Sequence, residues 1–160
     1  MSDFGTVAYN DLIYIVGGVS GNGTVFNTLW LFDPLLHNLT ELKPMSKPRY
    51  RFGIALVGSK IYVAGGKLSD PTPPLNSLSI YDIPTNTWSE GPSASVNRSD
   101  PCATSLDGKV YLLGGYDGEY NPLGTVEEFD PATNKWQTLA DLPTPRGDLM
   151  CAALNSTGLV

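Results

Sequence analysis

Few side chains in this sequence could do covalent or metal chemistry, and their spacing keeps them apart. The single histidine, His37, follows Asp33-Pro34 in a turn. One imidazole cannot make a histidine-rich metal site, so His37 reads as a solvated polar residue. Glu127 and Glu128 look like a carboxylate pair, but adjacent strand residues point to opposite faces and cannot share a substrate. Cys102 and Cys151 lie at similar places in consecutive stretches of related sequence, which reads as two buried strand residues in neighbouring units. Two cysteines are too few for a disulfide scaffold in 160 residues. No G-x-S-x-G elbow, Walker lysine or C-x-x-C occurs, and the glycine-rich segment from Gly17 to Gly23 lacks the spacing and following helix of a nucleotide loop. The expectation is therefore no catalytic residue, no metal ligand set and no cofactor.

What recurs is arginine. Arg49, Arg98 and Arg146 each stand just before an apolar strand in successive units, and Arg51 lies beside the first. A guanidinium offers a planar fork of donors suited to carboxylates. Two readings follow. As a ring, the arginines would bind an acidic peptide or protein segment together with Arg51, Tyr116 and Asp117. Taken singly, each arginine would brace neighbouring loops through carbonyls and carboxylates, and that is the preferred reading for any one of them.

A repeat sets the elements that must position these residues. The third unit, starting near Asp100, runs from a strand containing Tyr111 into Gly114-Gly115. A loop follows, then a strand ending in Phe129-Asp130-Pro131, then Trp136 six residues beyond the aspartate. The second unit repeats the order with Tyr62, Gly65-Gly66, Tyr81-Asp82 and Trp88. The first does so with Tyr14, Gly17-Gly18 and Phe32-Asp33, but has Leu39 where the tryptophan would fall. The glycine pairs are 48 and 49 residues apart, and a fixed period of this size means repeated supersecondary units.

Each unit reads as four short strands, A to D. In the first, A spans Phe4 to Tyr9, B Leu12 to Val16, C Thr28 to Phe32 and D Asn38 to Leu42. In the second, A spans Phe52 to Val57, B Ile61 to Ala64 and C Ser77 to Tyr81, with D around Trp88. In the third, A spans Cys102 to Leu106, B Val110 to Leu113 and C Thr125 to Phe129, with D around Trp136. Asn10-Asp11, Gly58-Ser59 and Asp107-Gly108 supply tight A to B turns. A fourth strand A is expected over Asp148 to Leu154, followed by a turn at Asn155 to Gly158. The units divide as 1–48, 49–97, 98–145 and 146–160.

Glycine pairs are costly at a strand end unless the backbone needs positive φ or a neighbour approaches closely, and the tyrosine of B and the tryptophan of D offer rings for that approach. One such sheet cannot cover its own aromatic face. Stacking the next repeat on it can, so Tyr62, Tyr111, Trp88 and Trp136 are expected to be largely buried.

A net charge of -6 and an isoelectric point near 4.5, with no run of Lys or Arg, make nucleic acid and anionic membranes poor partners. No apolar stretch approaches the roughly 20 residues of a membrane span. Cysteine usage leans to a cytoplasmic setting, while sequons at Asn22, Asn38, Asn97 and Asn155 leave a secreted parent open.

The diglycine, the aromatic-Asp step six residues before Trp and the Pro-Arg that follows resemble the Kelch motif, in three successive copies covering nearly the whole chain. The resemblance implies an all-β fold of four-stranded antiparallel propeller blades, with A lining the central channel and D outermost. It implies blade one packing less well on its outer side, for want of the tryptophan. Three and a quarter repeats fall short of a ring of about six blades, so the chain is expected to be part of a larger propeller, with remaining blades or neighbouring subunits covering its ends. The resemblance also puts the B–C and D–A loops on one rim, where family arginines receive acidic peptide side chains. The expected function is a non-catalytic protein-interaction module, a substrate receptor or scaffold binding a peptide or protein on that rim. The alternatives are part of a Kelch-like enzyme of sugar isomerase, lyase or oxidase type, with its catalytic residues in other blades, and a structural subunit of a larger assembly.

Overall fold

The computed structural model describes residues 1–153. It contains three four-stranded sheets, each an antiparallel meander in chain order, and no helix among the described residues. The first sheet comprises β1 (Gly5–Tyr9), β2 (Leu12–Val16), β3 (Leu29–Asp33) and β4 (Asn38–Leu42). The second comprises β5 (Gly53–Val57), β6 (Lys60–Ala64), β7 (Leu78–Asp82) and β8 (Thr87–Gly91). The third comprises β9 (Cys102–Leu106), β10 (Lys109–Leu113), β11 (Val126–Asp130) and β12 (Lys135–Thr138). The first strands β1, β5 and β9 lie side by side, so each sheet is a blade whose innermost strand faces a common hollow.

Alternation along the second strand of each blade explains the stacking. In β6, Ile61 and Val63 face blade one, where they meet Tyr14 and Val16 of β2. Tyr62 and Ala64 face the other way and meet Val110 and Leu112 of β10. The middle blade is therefore buried on both faces, and the cores are the seams between blades. Tyr111 departs from the expectation, because it is only half-buried. It occupies the position of Tyr14 and Tyr62, which face the following blade, and no further sheet lies against it among the described residues.

The outer aromatics point back across the seams. Trp88 Nε1 donates to the Lys43 carbonyl at 2.7 Å and Trp136 Nε1 to the Pro92 carbonyl at 2.8 Å, each in the preceding blade. Both indoles are likewise only half-buried, short of the expected burial, with their rings 5.1 and 5.2 Å from Tyr81 and Phe129 respectively. Leu39, at the equivalent place in blade one, is 57% exposed.

All three C strands start and end one residue later than expected. The terminal aspartates join the ladder, as Asp33 pairs with Asn38, while their carboxylates shape the turn: Asp33 Oδ1 accepts from the Leu35 and Leu36 amides. At the other end Thr28, Ser77 and Thr125 use their carbonyls to accept from the first glycine of each pair instead. The fourth A strand also needs correction, since residues 148–153 pair with no strand. Leu154, the turn at Asn155 to Gly158 and the sequon at Asn155 lie outside the described residues.

Candidate functional site

Each diglycine is a socket for the next repeat's arginine. Both glycines of every pair have positive φ, from 56° to 101°. The second glycine amide of each pair donates to the carbonyl of Arg49 (2.8 Å), Arg98 (2.8 Å) or Arg146 (2.9 Å). A Cβ on Gly65 would lie 2.7 Å from the Arg98 carbonyl oxygen, which no side chain tolerates. The close neighbour that demands glycine is thus a backbone carbonyl from the next repeat, not the tyrosine or tryptophan ring expected from sequence.

From that anchored backbone the side chains of Arg49 and Arg98 enter the following blade, and this corrects the expectation of a binding ring. Arg49 is 1% exposed and Arg98 is fully buried, so neither can reach a partner. Arg49 Nη1 donates to the Gly65 and Ser77 carbonyls at 3.0 Å, and its Nη2 to the hydroxyls of Ser77 (3.0 Å) and Ser79 (3.2 Å). Burial pulls its pKa down to about 10, with the Glu90 carboxylate opposing. Arg98 Nη1 donates to the carbonyls of Gly114 (3.0 Å) and Thr125 (2.9 Å), while its Nη2 pairs with Glu127 at 2.5 Å. Glu127 is itself buried and accepts from the Ser95 amide at 2.7 Å. Its neighbour Glu128 points to the opposite face, where Lys109 lies 2.6 Å away. The two glutamates are separate, as the strand alternation required.

The remaining candidates lie on the rim of B–C and D–A loops. Arg146 is exposed, and its Nε donates to the Thr144 carbonyl at 3.2 Å. Asp117 folds its own loop, accepting from the Glu119 and Asn121 amides and from Asn121 Nδ2 at 2.8 to 3.0 Å. Those bonds hold its carboxyl below the usual range. Tyr116 packs 6.2 Å from Tyr120 and is half-buried. Arg51 is half-buried, 5.6 Å over the Tyr50 ring and 3.7 Å from Asp100. His37 is exposed in the β3–β4 turn at φ 52°.

Sequence reasoning missed two groupings here. At the mouth of the hollow, Asp3, Arg51, Asp100 and Asp148 occupy equivalent left-handed positions with φ of 54°, 56°, 54° and 49°. Their backbones link head to tail: Arg51 N to Asp3 O at 3.1 Å, Asp100 N to Arg51 O at 2.8 Å, Asp148 N to Asp100 O at 3.2 Å. Burial, with Asp148 and Asp3 nearby, raises the Asp100 carboxyl even against Ser99 and Arg51. The recurrence of aspartate, which tolerates this conformation, was the available signal. The second grouping bridges two blades. Lys67 is 5% exposed, pairs with Asp70, and lies 5.3 Å over the Tyr120 ring. Burial and a hydrogen bond to Asp70 push the Tyr50 phenol up to about 12. Nothing in the spacing of Lys67 and Tyr120 announces that contact.

Three stacked four-stranded blades joined by glycine sockets define a repeat fold of the propeller-blade kind. The sequence matches the KLHDC2/KLHL20/DRC7 Kelch-repeats domain over residues 4–160, and the chain belongs to the Kelch-repeat family. It is 33% identical over 109 residues to the human Kelch repeat and BTB domain-containing protein 13, covering 68% of this chain and 24% of that protein. An F-box/kelch-repeat protein of Arabidopsis thaliana is 36% identical over 105 residues, covering 66% and 27%. Human Kelch-like protein 28 is 34% identical over 110 residues, covering 65% and 19%. The matched stretch is thus about a fifth to a quarter of these relatives' own lengths.

Proposed function

We propose that this chain is a non-catalytic protein-interaction module that takes a peptide or protein segment on the rim of B–C and D–A loops, serving a substrate receptor or scaffold in the cytoplasm. The observation that carries the reading is the convergence of aromatic and cationic side chains from different blades on one rim. Tyr120 of blade three lies over Lys67 of blade two, next to the stacked pair Arg51 and Tyr50. Tyrosine and arginine side chains held in place by neighbours are the types that dominate binding energy at interfaces. The names of the relatives, which join Kelch repeats to BTB or F-box domains, fit a module that works beside other domains.

Two of the three recurring arginines contribute nothing to such a contact. An acidic ligand would meet Arg51 and Arg146, with Asp3, Asp100 and Asp148 close by. Contact is therefore assigned to Arg51, Tyr116, Tyr120 and Arg146. The test is to pan a random peptide display library on the full chain and measure the selected peptides against Tyr120→Ala and Arg51→Ala variants. Affinity should fall at least tenfold with the melting temperature unchanged. Peptides that bind both variants as tightly as the parent would place the site elsewhere.

A further inference from the structure

At each seam between blades the same two register positions touch. Counting from the left-handed residue at the mouth, the second residue of one innermost segment abuts the third residue of the next. At the first seam a Cβ on Gly5 would lie 3.0 Å from Ile54 Cγ2, and at the second a Cβ on Gly53 would lie 2.8 Å from Ala103 Cβ. At the third seam these positions hold Cys102 and Cys151, and they are joined by a disulfide with Cα atoms 5.8 Å apart. That separation is ordinary for a disulfide. The expectation of two separate buried thiols is thereby corrected. The reason is the stacking itself, which brings residues 49 apart in sequence into the one contact where glycine met an aliphatic side chain before.

Two further observations give the link a role. Both cysteines are half-buried and line the central hollow with Phe4, Phe52 and Leu149, so the link borders open space. Apart from the link, the segment it secures is held by side-chain contacts, Gly147 and Asp148 against Tyr116 and Leu149 against Gly114. Residues 147–153 form no strand, and among the described residues their one backbone hydrogen bond to the rest of the chain is Asp148 N to Asp100 O.

We propose that Cys102 and Cys151 are a redox latch, an oxidation site for small disulfides of the glutathione type, that fastens the innermost segment after Arg146 to blade three. Closing proceeds by thiol–disulfide exchange. One cysteine thiolate attacks a sulfur of the small disulfide, forming a mixed disulfide and expelling one thiol. The second cysteine attacks the protein sulfur of that mixed disulfide and expels the other. The two cysteines lose two protons and two electrons in all, and the small disulfide accepts both and leaves as two thiols. Excess small thiol reverses the sequence. In a reducing compartment a disulfide of this kind forms transiently in response to oxidants. Closed, the latch holds Asp148 beside Asp100 at the mouth, and open, it releases the segment.

The test equilibrates the full chain in mixtures of reduced and oxidised glutathione, traps thiols by acid quench and alkylation, and follows amide hydrogen exchange over residues 147–153 in the same samples. Both cysteines should change together, from two alkylated thiols to none, with no glutathione retained. Exchange over 147–153 should be at least tenfold slower in the closed form, while strands β5 to β8 exchange alike in both. In a Cys151→Ser variant exchange over 147–153 should ignore the glutathione ratio. Two thiols that stay alkylatable in every mixture, or that retain glutathione singly, would overturn the proposal. So would closed and open forms that exchange at the same rate, and the unsubstituted chain alone decides each of these.

Discussion

Arg49 and Arg98 enter their blades along the same path and differ only at its far end. In blade two the guanidinium ends on hydroxyls, and Ser79 passes the contact on to Glu90 at 3.2 Å near the surface. In blade three the residue at the place of Ser79 is Glu127, so the carboxylate sits inside the sheet and touches the guanidinium directly. Blade one has no arginine in the slot, where Met1 lies, and carries Trp30 at the position of Ser79. One backbone architecture thus accepts a hydroxyl-bonded and an ion-paired filling. The socket is set by the diglycine and the carbonyl ladder, while the charge partner is negotiable. The comparison also separates roles within the repeat, because an arginine buried in bracing its blade is not available to a ligand.

The sharpest way to break the comparison is at Glu127. Removing one partner of a buried ion pair typically costs about 3–5 kcal/mol, because the other charge is left without compensation. Glu127→Ala should therefore lower the stability of the chain by that order in urea titration, with the loss of the Ser95 amide's acceptor added. Ser79→Ala should cost about 1 kcal/mol in the same titration, the scale of one hydrogen bond, since Arg49 keeps its carbonyls and the Ser77 hydroxyl. Equal effects for the two substitutions would mean that the fillings are energetically alike.

How much of this was legible depends on how local the cause is. The strands were, because alternation and turn residues such as Asp107-Gly108 act within a few positions. The one-residue shift of every C strand was not. It follows from Thr28, Ser77 and Thr125 bonding to a glycine amide rather than to the ladder. The arginines were visible as a recurrence, and the bracing role was one of the two readings. What decided it was a partner 29 residues away for Arg98, a distance no short motif covers. The disulfide was misread for the same reason: cysteine count speaks to the environment of the whole chain, whereas pairing depends on one seam. The mouth residues were half-legible, with aspartate at three of four left-handed positions and arginine at the other.

Arg51 gives the smallest effect on stability and the largest contrast with its neighbour two residues earlier. Its contact with Asp100 is 3.7 Å and partly exposed, and such pairs contribute about 0–1 kcal/mol. The central claim is that the buried arginines Arg49 and Arg98 brace their blades while Arg51 is free for a partner, and thermal unfolding of Arg98→Ala and Arg51→Ala, side by side in the full chain, tests it most directly. Arg98→Ala should lose about 3–5 kcal/mol and melt many degrees early, while Arg51→Ala should melt within a degree or two of the parent. An Arg98→Ala chain as stable as the parent, or an Arg51→Ala chain that unfolds as early as Arg98→Ala, would contradict the account.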